Sequence, residues 1–272
     1  MASLLTETRR LLLTHGLRPK KRLSQSFLID RTVLGKILKG GELQREDRVL
    51  EIGAGVGTLT RALAERCNRV VAVEIDPGLF RILQDVLGAR THVSLVHGDA
   101  LHLDYRSLLG EERPWKVIAN LPYSIATPLI GRLLSLSHHF SFLLLMVQEE
   151  VAERLMASPG TKAYGSLTIL TQYYADVRPV VRVPNTAFYP RPQVDSALVK
   201  LDIPATPRVS PGDPALFFRL VRAAFAHRRK TLKNALSRLE GIPLARQEIH
   251  AVLERAGIDP RRRGETLSLQ EF

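Results

Sequence analysis

A single cysteine, Cys67, in 272 residues excludes an internal disulfide framework, and the eight histidines lack the cysteine partners or paired spacing that zinc requires. No metal and no disulfide is expected. Long hydrophobic runs are also missing. The longest, Phe142 to Val147, falls far short of the roughly 20 residues of a membrane-spanning helix and reads as a buried strand. The N-terminus mixes Leu4, Leu5 and Leu11 to Leu13 with Glu7, Arg9 and Arg10, without the apolar stretch or small-residue cleavage site of a secretory signal. A soluble, cytoplasmic chain without membrane association is expected, with a monomer as the default state. Acidic charge is scarce at both ends: residues 1 to 24 hold six basic side chains against one acid, and residues 203 to 272 hold thirteen against seven. The whole chain carries +12, so the middle is almost neutral. Positive charge clustered at both ends of a neutral body suits a polyanion such as nucleic acid, although a merely soluble basic surface would look the same by charge alone.

What is present is a βαβ rhythm. Short Val- and Ile-rich runs at Arg48 to Ile52, Arg69 to Glu74, His92 to Val96, Lys116 to Ala119 and Phe140 to Val147 alternate with helix-length amphipathic segments. The expected fold is α/β, a Rossmann-like, doubly wound, mostly parallel sheet. Runs at Ser166 to Tyr174 and Ser196 to Ile203 read as further strands, antiparallel at the sheet edge. The Pro-rich stretch Pro204 to Pro214 reads as a linker, followed by helices over Ala215 to Leu239 and Leu244 to Ala256, the latter stopped by Gly257. Two domains follow, 1–203 and a small all-helical 204–272.

The first strand opens into Glu51-Ile52-Gly53-Ala54-Gly55-Val56-Gly57-Thr58-Leu59, a glycine-rich turn that lets a ligand approach the backbone closely. Nicotinamide and flavin enzymes use similar loops, and some tight turns bind nothing. The next strand ends in Glu74, about twenty residues after Gly53, where an acid can accept hydrogen bonds from both ribose hydroxyls. A third strand is followed by Gly98-Asp99. Asp99 is either a turn aspartate or an acceptor for an adenine amine. Glycine loop, acid and acid at successive strand ends share the carboxyl edge of the sheet, where open α/β folds bind ligands.

The fourth strand ends in Asn120-Leu121-Pro122-Tyr123. An ordinary turn is the plain reading of this tetrapeptide. Beside a cofactor surface it has a chemical one. The exocyclic nitrogen of adenine is a poor nucleophile because its lone pair is delocalised into the ring. The Asn120 side-chain oxygen and a backbone carbonyl, that of Leu121 before Pro122, can each accept an N–H of that amine and localise the pair. Tyr123 offers a face on which an unstacked base can lie. Gln25-Ser26-Phe27-Leu28 reads as a hydrophobic staple or as a cofactor lid. Phe188 to Ser196 is a proline-fixed loop in which Phe188 is either a second stacking face or a core residue.

In order, the Gln25 segment, Glu51 to Leu59, Glu74-Ile75-Asp76, Gly98-Asp99-Ala100, Asn120 to Tyr123 and Phe188 to Ser196 resemble the ribosomal RNA adenine dimethyltransferase family over nearly the whole chain. The stretch Ala223 to Leu236 resembles its bacterial small-subunit branch. The resemblance implies a class I methyltransferase domain using S-adenosylmethionine, held by Gln25, Ser26, Leu28, Gly53, Gly55, Glu74, Ile75, Asp99, Ala100 and Asn120. It further implies that Asn120, Leu121, Pro122, Tyr123 and Phe188 surround the target amine. The implied reaction is methylation at N6 of two adjacent adenosines near the 3′ end of small-subunit ribosomal RNA, with the immature small subunit as partner. A large-subunit adenine methyltransferase of the antibiotic-resistance type, or a non-catalytic assembly or transcription factor of this fold, are the alternatives. Ser26 stands where the family usually has Asn. For RNA contact, Arg222, Arg229 and Lys233 would lie on one face of the C-terminal helix and, with Arg22 and its neighbours Arg18, Lys20 and Lys21, form a basic groove rim.

Overall fold

The computed structural model describes residues 2–110, 114–227, 229–237, 239 and 245–272. Its strands are β1 (Phe27–Leu28), β2 (Arg48–Ile52), β3 (Arg69–Glu74), β4 (Val93–His97), β5 (Trp115–Asn120), β6 (Phe140–Gln148), β7 (Asp176–Val183), β8 (Phe188–Tyr189) and β9 (Ser196–Asp202). Its helices are α1 (Leu4–Thr14), α2 (Arg31–Gly40), α3 (Thr58–Ala64), α4 (Pro77–Leu87), α5 (Tyr105–Leu109), α6 (Ala126–Ser135), α7 (Glu149–Met156), α8 (Ser166–Tyr174), α9 (Pro214–Ala226), α10 (Leu232–Leu236) and α11 (Arg246–Arg255).

Seven strands form one sheet in the order β4-β3-β2-β5-β6-β9-β7. The first five run parallel, and β9 alone is reversed, pairing antiparallel with both β6 and β7. Central strands such as Val70-Val71-Ala72-Val73 and Phe142 to Val147 are buried along their length, as parallel strands covered on both faces must be. The chain winds outward from β2 to β4 and then returns to place β5 beside β2. That reversal opens a crevice at the carboxyl ends of β2 and β5. A separate two-stranded ribbon pairs Phe27 with Tyr189 and Leu28 with Phe188.

The chain divides into two compact units, Met1–Ala152 with Asp176–Ile203, and Glu153–Ala175 with Pro204–Phe272. Glu153–Ala175 therefore groups with the helical unit instead of falling inside a 1–203 domain. The cause lies in α8. Ser166 to Tyr174 is a helix, not the strand its Thr, Ile and Tyr content suggests. Short apolar runs do not separate the two states by periodicity, and here the Thr hydroxyls serve the helix. Thr171 donates to the Leu167 carbonyl one turn back (2.7 Å), and Thr168 accepts the Gly165 N–H (3.1 Å). Ile169 and Tyr173 then pack against Phe217 and Val221 of α9. The edge strand is instead Asp176–Val183. Its Pro179 is tolerated there because it sits at the sheet edge beside a register shift.

In the same unit, the single helix expected over Ala215 to Leu239 is two. His227 leaves helical geometry (φ −134°, ψ 76°) and Thr231 is extended. The break lets Leu232 and Ala235 turn inward, and Leu232 joins Ile249, Leu253, Ile258 and Leu267 in a small core. Leu244, where the last helix was expected to start, lies outside the described residues, as does Arg228 of the resembling C-terminal stretch. Gly257 (φ +72°) follows the end of α11.

Candidate active site

A cleft opens at the carboxyl ends of β2, β3, β4 and β5. Gln25, Ser26, Leu28, Gly53, Gly55, Glu74, Ile75, Asp99, Ala100, Asn120, Leu121, Pro122 and Tyr123 all line it. Phe188 does not. It is 2% exposed and packs with Leu28, Val183, Ala187 and Leu198, because its pairing with Leu28 turns the ring into the core. Phe188 is thus a core residue, not a second stacking face.

The glycine loop turns sharply after β2. Gly53 has φ +77°, and a Cβ there would come within 3.2 Å of Pro122 Cδ and 3.4 Å of the Asn120 carbonyl oxygen. At Gly55 (φ +60°) a Cβ would meet the Phe27 ring at 3.1 Å. Glycine is required at both positions by conformation and by space. Glu74, at the end of β3, is buried and doubly held: Oε2 accepts the Gly55 N–H (2.8 Å) and Oε1 the Asp76 N–H (2.9 Å). Burial raises its pKa, and the two N–H donors offset part of that rise. Each oxygen keeps a lone pair for a ligand hydroxyl.

Asp99 is a turn aspartate that also lines the cleft. Its Oδ1 accepts the Leu101 N–H (2.9 Å) and its Oδ2 pairs with His102 Nδ1 (2.9 Å). The Leu101 N–H, followed by His102, holds its carboxyl below the usual range.

On the opposite wall, Asn120 Nδ2 donates to the Ser26 carbonyl (3.2 Å). A carbonyl can only accept, so this contact fixes the amide orientation and leaves Oδ1 as an acceptor. The Ser26 hydroxyl is committed elsewhere, donating to the Pro190 carbonyl (3.1 Å). Position 26 thus meets Asn120 through its main chain. Leu121 anchors the turn by donating its N–H to the Met146 carbonyl (3.1 Å), and the Tyr123 and Ser196 hydroxyls share a hydrogen bond (2.6 Å).

The Gln25 segment is a strand-and-strap element, not a helix staple, since Phe27–Leu28 is β1 and α2 begins at Arg31 with Asp30 as its cap. Gln25 Nε2 donates to Asp76 Oδ2 (2.9 Å), and Lys20 Nζ pairs with the same oxygen (2.7 Å). Burial opposes ionisation of Asp76, yet Lys20, Gln25 and the Gly78 N–H together hold its pKa below normal.

Three cleft-region residues were named in the sequence without the contacts the structure gives them: Lys20 as part of a basic rim, Asp76 beside Glu74, and Glu51 in the glycine motif. Asp76 and Lys20 are a pair whose 56-residue separation carries no local signal. Glu51 lies in the glycine motif itself, and its burial was the missing clue. It is 2% exposed, Oε2 has no hydrogen-bond partner among the described residues, and burial pushes its pKa up to about 8, with the adjacent Thr60 lowering it and Glu74 raising it further.

The basic residues fall apart as a single face, because α9 ends at Ala226. Arg222 is exposed on α9, Arg229 is exposed in the following turn, and Lys233 is half-buried on α10. Arg222 lines a shallow groove with Arg219, His227, Ala223, Ala226 and Ala235. Arg22 is exposed in a single turn of 3₁₀ helix, Lys21–Leu23. Among the described residues no helix is long and apolar enough to cross a membrane, and no three His, Cys, Asp or Glu side chains converge as a metal site.

A family model for ribosomal RNA adenine dimethylase matches residues 16–272. The chain belongs to that family. Among similar proteins, the ribosomal RNA small subunit methyltransferase A of Clostridium acetobutylicum is 45% identical over 265 residues, covering 97% of the dimethylase chain and 95% of the relative. The protein of that name from Pelotomaculum thermopropionicum is 46% identical, covering 97% and 92%. Among solved structures, the dimethylase is similar to a dimethyladenosine transferase from Plasmodium falciparum (TM-score 0.75, 26% identity, 90% and 94% covered). It is also similar to the 23S rRNA methyltransferase ErmE (TM-score 0.66, 26% identity, 90% and 96% covered). The dimethylase is an S-adenosylmethionine-dependent methyltransferase with the class I α/β fold. Its cleft suits that donor: a glycine turn where backbone lines the cleft, a buried Glu51 oxygen without a hydrogen-bond partner among the described residues, and the acids Glu74 and Asp99 fit a molecule bearing a ribose, an adenine and a positive sulfonium.

Proposed function

We propose that this dimethylase methylates N6 of two adjacent adenosines near the 3′ end of small-subunit ribosomal RNA, on the immature small subunit in the cytoplasm. The observation that carries the reading is the cleft, which sets Glu74 and Asp99 on one wall and Asn120 to Tyr123 on the other. The similarity to relatives named for the small subunit supports that target over the large one.

When bound, the donor supplies an electrophilic methyl on a sulfonium. Glu74 would accept the ribose hydroxyls, Asp99 would accept the adenine amine, and Gly53 and Gly55 would leave room for close backbone approach, with Gln25, the Ser26 backbone, Leu28, Ile75 and Ala100 closing the sides. Asn120 Oδ1, free because Nδ2 is tied to Ser26, accepts one N–H of the target amine. The Leu121 carbonyl accepts the other, with Pro122 keeping the backbone extended. Both contacts draw the nitrogen lone pair out of the ring. Tyr123 stacks on the extruded base, a contact worth about 1–3 kcal/mol, and orientation supplies much of the acceleration without a strong general base. Arg22, Arg222, Arg229 and Lys233 contact RNA phosphates.

The test uses both ribosomal subunits from cells lacking the protein, incubated with purified enzyme and labelled donor, and maps the methyl groups by mass spectrometry. Dimethyladenosine at one small-subunit hairpin is the expected result; label confined to large-subunit RNA, or none, overturns the reading. Reversing Arg229 and Lys233 to Glu should weaken particle binding and flatten its salt dependence. Unchanged affinity would remove those two residues from the interface.

A further inference from the structure

Ser196 occupies a place that only the topology explains. Because β9 runs antiparallel to β6, its first residue lies at the carboxyl edge of the parallel strands, opposite Gln148, while its last lies near their start. Ser196 is therefore brought to the sheet edge that carries Asn120, although the two are far apart in sequence. It is fully buried. The residue before it is pinned on three sides: the Asp195 carbonyl accepts the Glu149 N–H (3.1 Å), Oδ1 accepts the Asn185 N–H (3.0 Å), and Oδ2 accepts from Arg182 (3.2 Å). A buried hydroxyl on so fixed a backbone makes a firm anchor, and the group it holds is the Tyr123 hydroxyl, at 2.6 Å.

We propose that Ser196 is a positioning residue for methyl transfer, fixing the direction of the Tyr123 side chain and so the place of the ring against which the target adenine stacks. This rests on the stacking role assigned to Tyr123 above. A tyrosine held only at Cβ swings about two side-chain torsions. Held at its far end as well, it keeps one χ1, so the ring stands in one place before RNA arrives and that part of the ordering cost falls on folding instead of on base capture. The anchor also gives Tyr a reason to stand where Phe would supply the same stacking area. The Phe188 to Ser196 segment thus contributes to the amine side through Ser196 and through the Pro190 carbonyl that holds Ser26, with Phe188 serving as its root in the core.

The experiment is a double-mutant cycle with Ser196→Ala and Tyr123→Phe, and Tyr123→Ala beside it. Single-turnover methylation of small subunits is measured at saturating donor, with S-adenosylhomocysteine affinity measured by calorimetry. Each single variant should slow transfer about 5- to 10-fold, the value of one hydrogen bond. The double variant should be no slower than either single one, with S-adenosylhomocysteine affinity within about twofold of the parent. Additive losses, a parental rate in Ser196→Ala, or donor affinity falling in step with rate would overturn the proposal. Should Ser196→Ala not fold, Tyr123→Phe decides alone, a parental rate counting against the anchor. Tyr123→Ala separates the two claims: if it methylates at the parental rate, the stacking role itself fails, whereas an impaired Tyr123→Ala with an additive cycle removes Ser196 only.

Discussion

The two walls of the cleft are held in different ways. On the wall of Glu74 and Asp99, the carboxylates are fixed by backbone N–H groups, from Gly55, Asp76 and Leu101. Two of those three donors lie two residues from the acid they serve. Across the cleft, Asn120 leans on Ser26, 94 residues away, and Tyr123 on Ser196, 73 residues away. One wall is thus built largely by local turns and the other by tertiary ties. The difference predicts that damage to the first should show as lost donor affinity and damage to the second as lost rate.

Asn120→Ala should break the comparison hardest if it is wrong. Single-turnover methylation is expected to fall by on the order of 10²–10³-fold, the range for removing one preorganised polar group at a reacting centre, with S-adenosylhomocysteine affinity changed only a few-fold by calorimetry. A loss of affinity as large as the loss of rate would erase the distinction between walls. Glu74→Ala should do the reverse, weakening S-adenosylhomocysteine by about 10–100-fold through loss of charge-assisted hydrogen bonds, while the rate at saturating donor stays within a few-fold.

Asp76→Asn probes the strap that joins the walls. Without its charge, Lys20 loses its ion pair and Gln25 keeps only a neutral acceptor. S-adenosylhomocysteine affinity should drop about 5-fold, and trypsin should cut faster after Lys20, Lys21 and Arg22. Unchanged cleavage would show that the strap is held by other contacts.

Glu51 departs from its wall's pattern, since its Oε2 has no donor among the described residues. Its folded-state pKa is raised from 4.5 to about 8, so the neutral carboxyl is the stable form in the folded chain. The stability this confers is full below about 4.5 and is lost as pH climbs through about 8. The melting temperature of donor-free protein should therefore decline over that interval, and Glu51→Gln should flatten the decline. A parallel decline in the variant would place the titrating group elsewhere.

Much of this was legible before any coordinates. The five parallel strands were readable because buried β-branched runs such as Val70 to Val73 are short and bounded, and the acids Glu74 and Asp99 sit at their ends by sequence alone. The tetrapeptide that begins at the last residue of β5 stood out by residue type, and the structure places it on the cleft. Phe188 was not legible, because an aromatic beside prolines reads the same whether it faces solvent or core, and its pairing with Leu28 decided the matter. Ser166 to Tyr174 misled because β-branched content stands in for a strand until threonine hydroxyls are seen bonding along a helix. The Ser196 and Asp76 contacts depend on chain crossings that no local window contains.

The tether of Asn120 to the Ser26 carbonyl also bears on how the sequence is free to drift. A main-chain oxygen is present whatever side chain occupies the position, so the residue that orients the amide is insulated from substitution at its own site. Serine at this position leaves that tether intact while its hydroxyl donates to the Pro190 carbonyl.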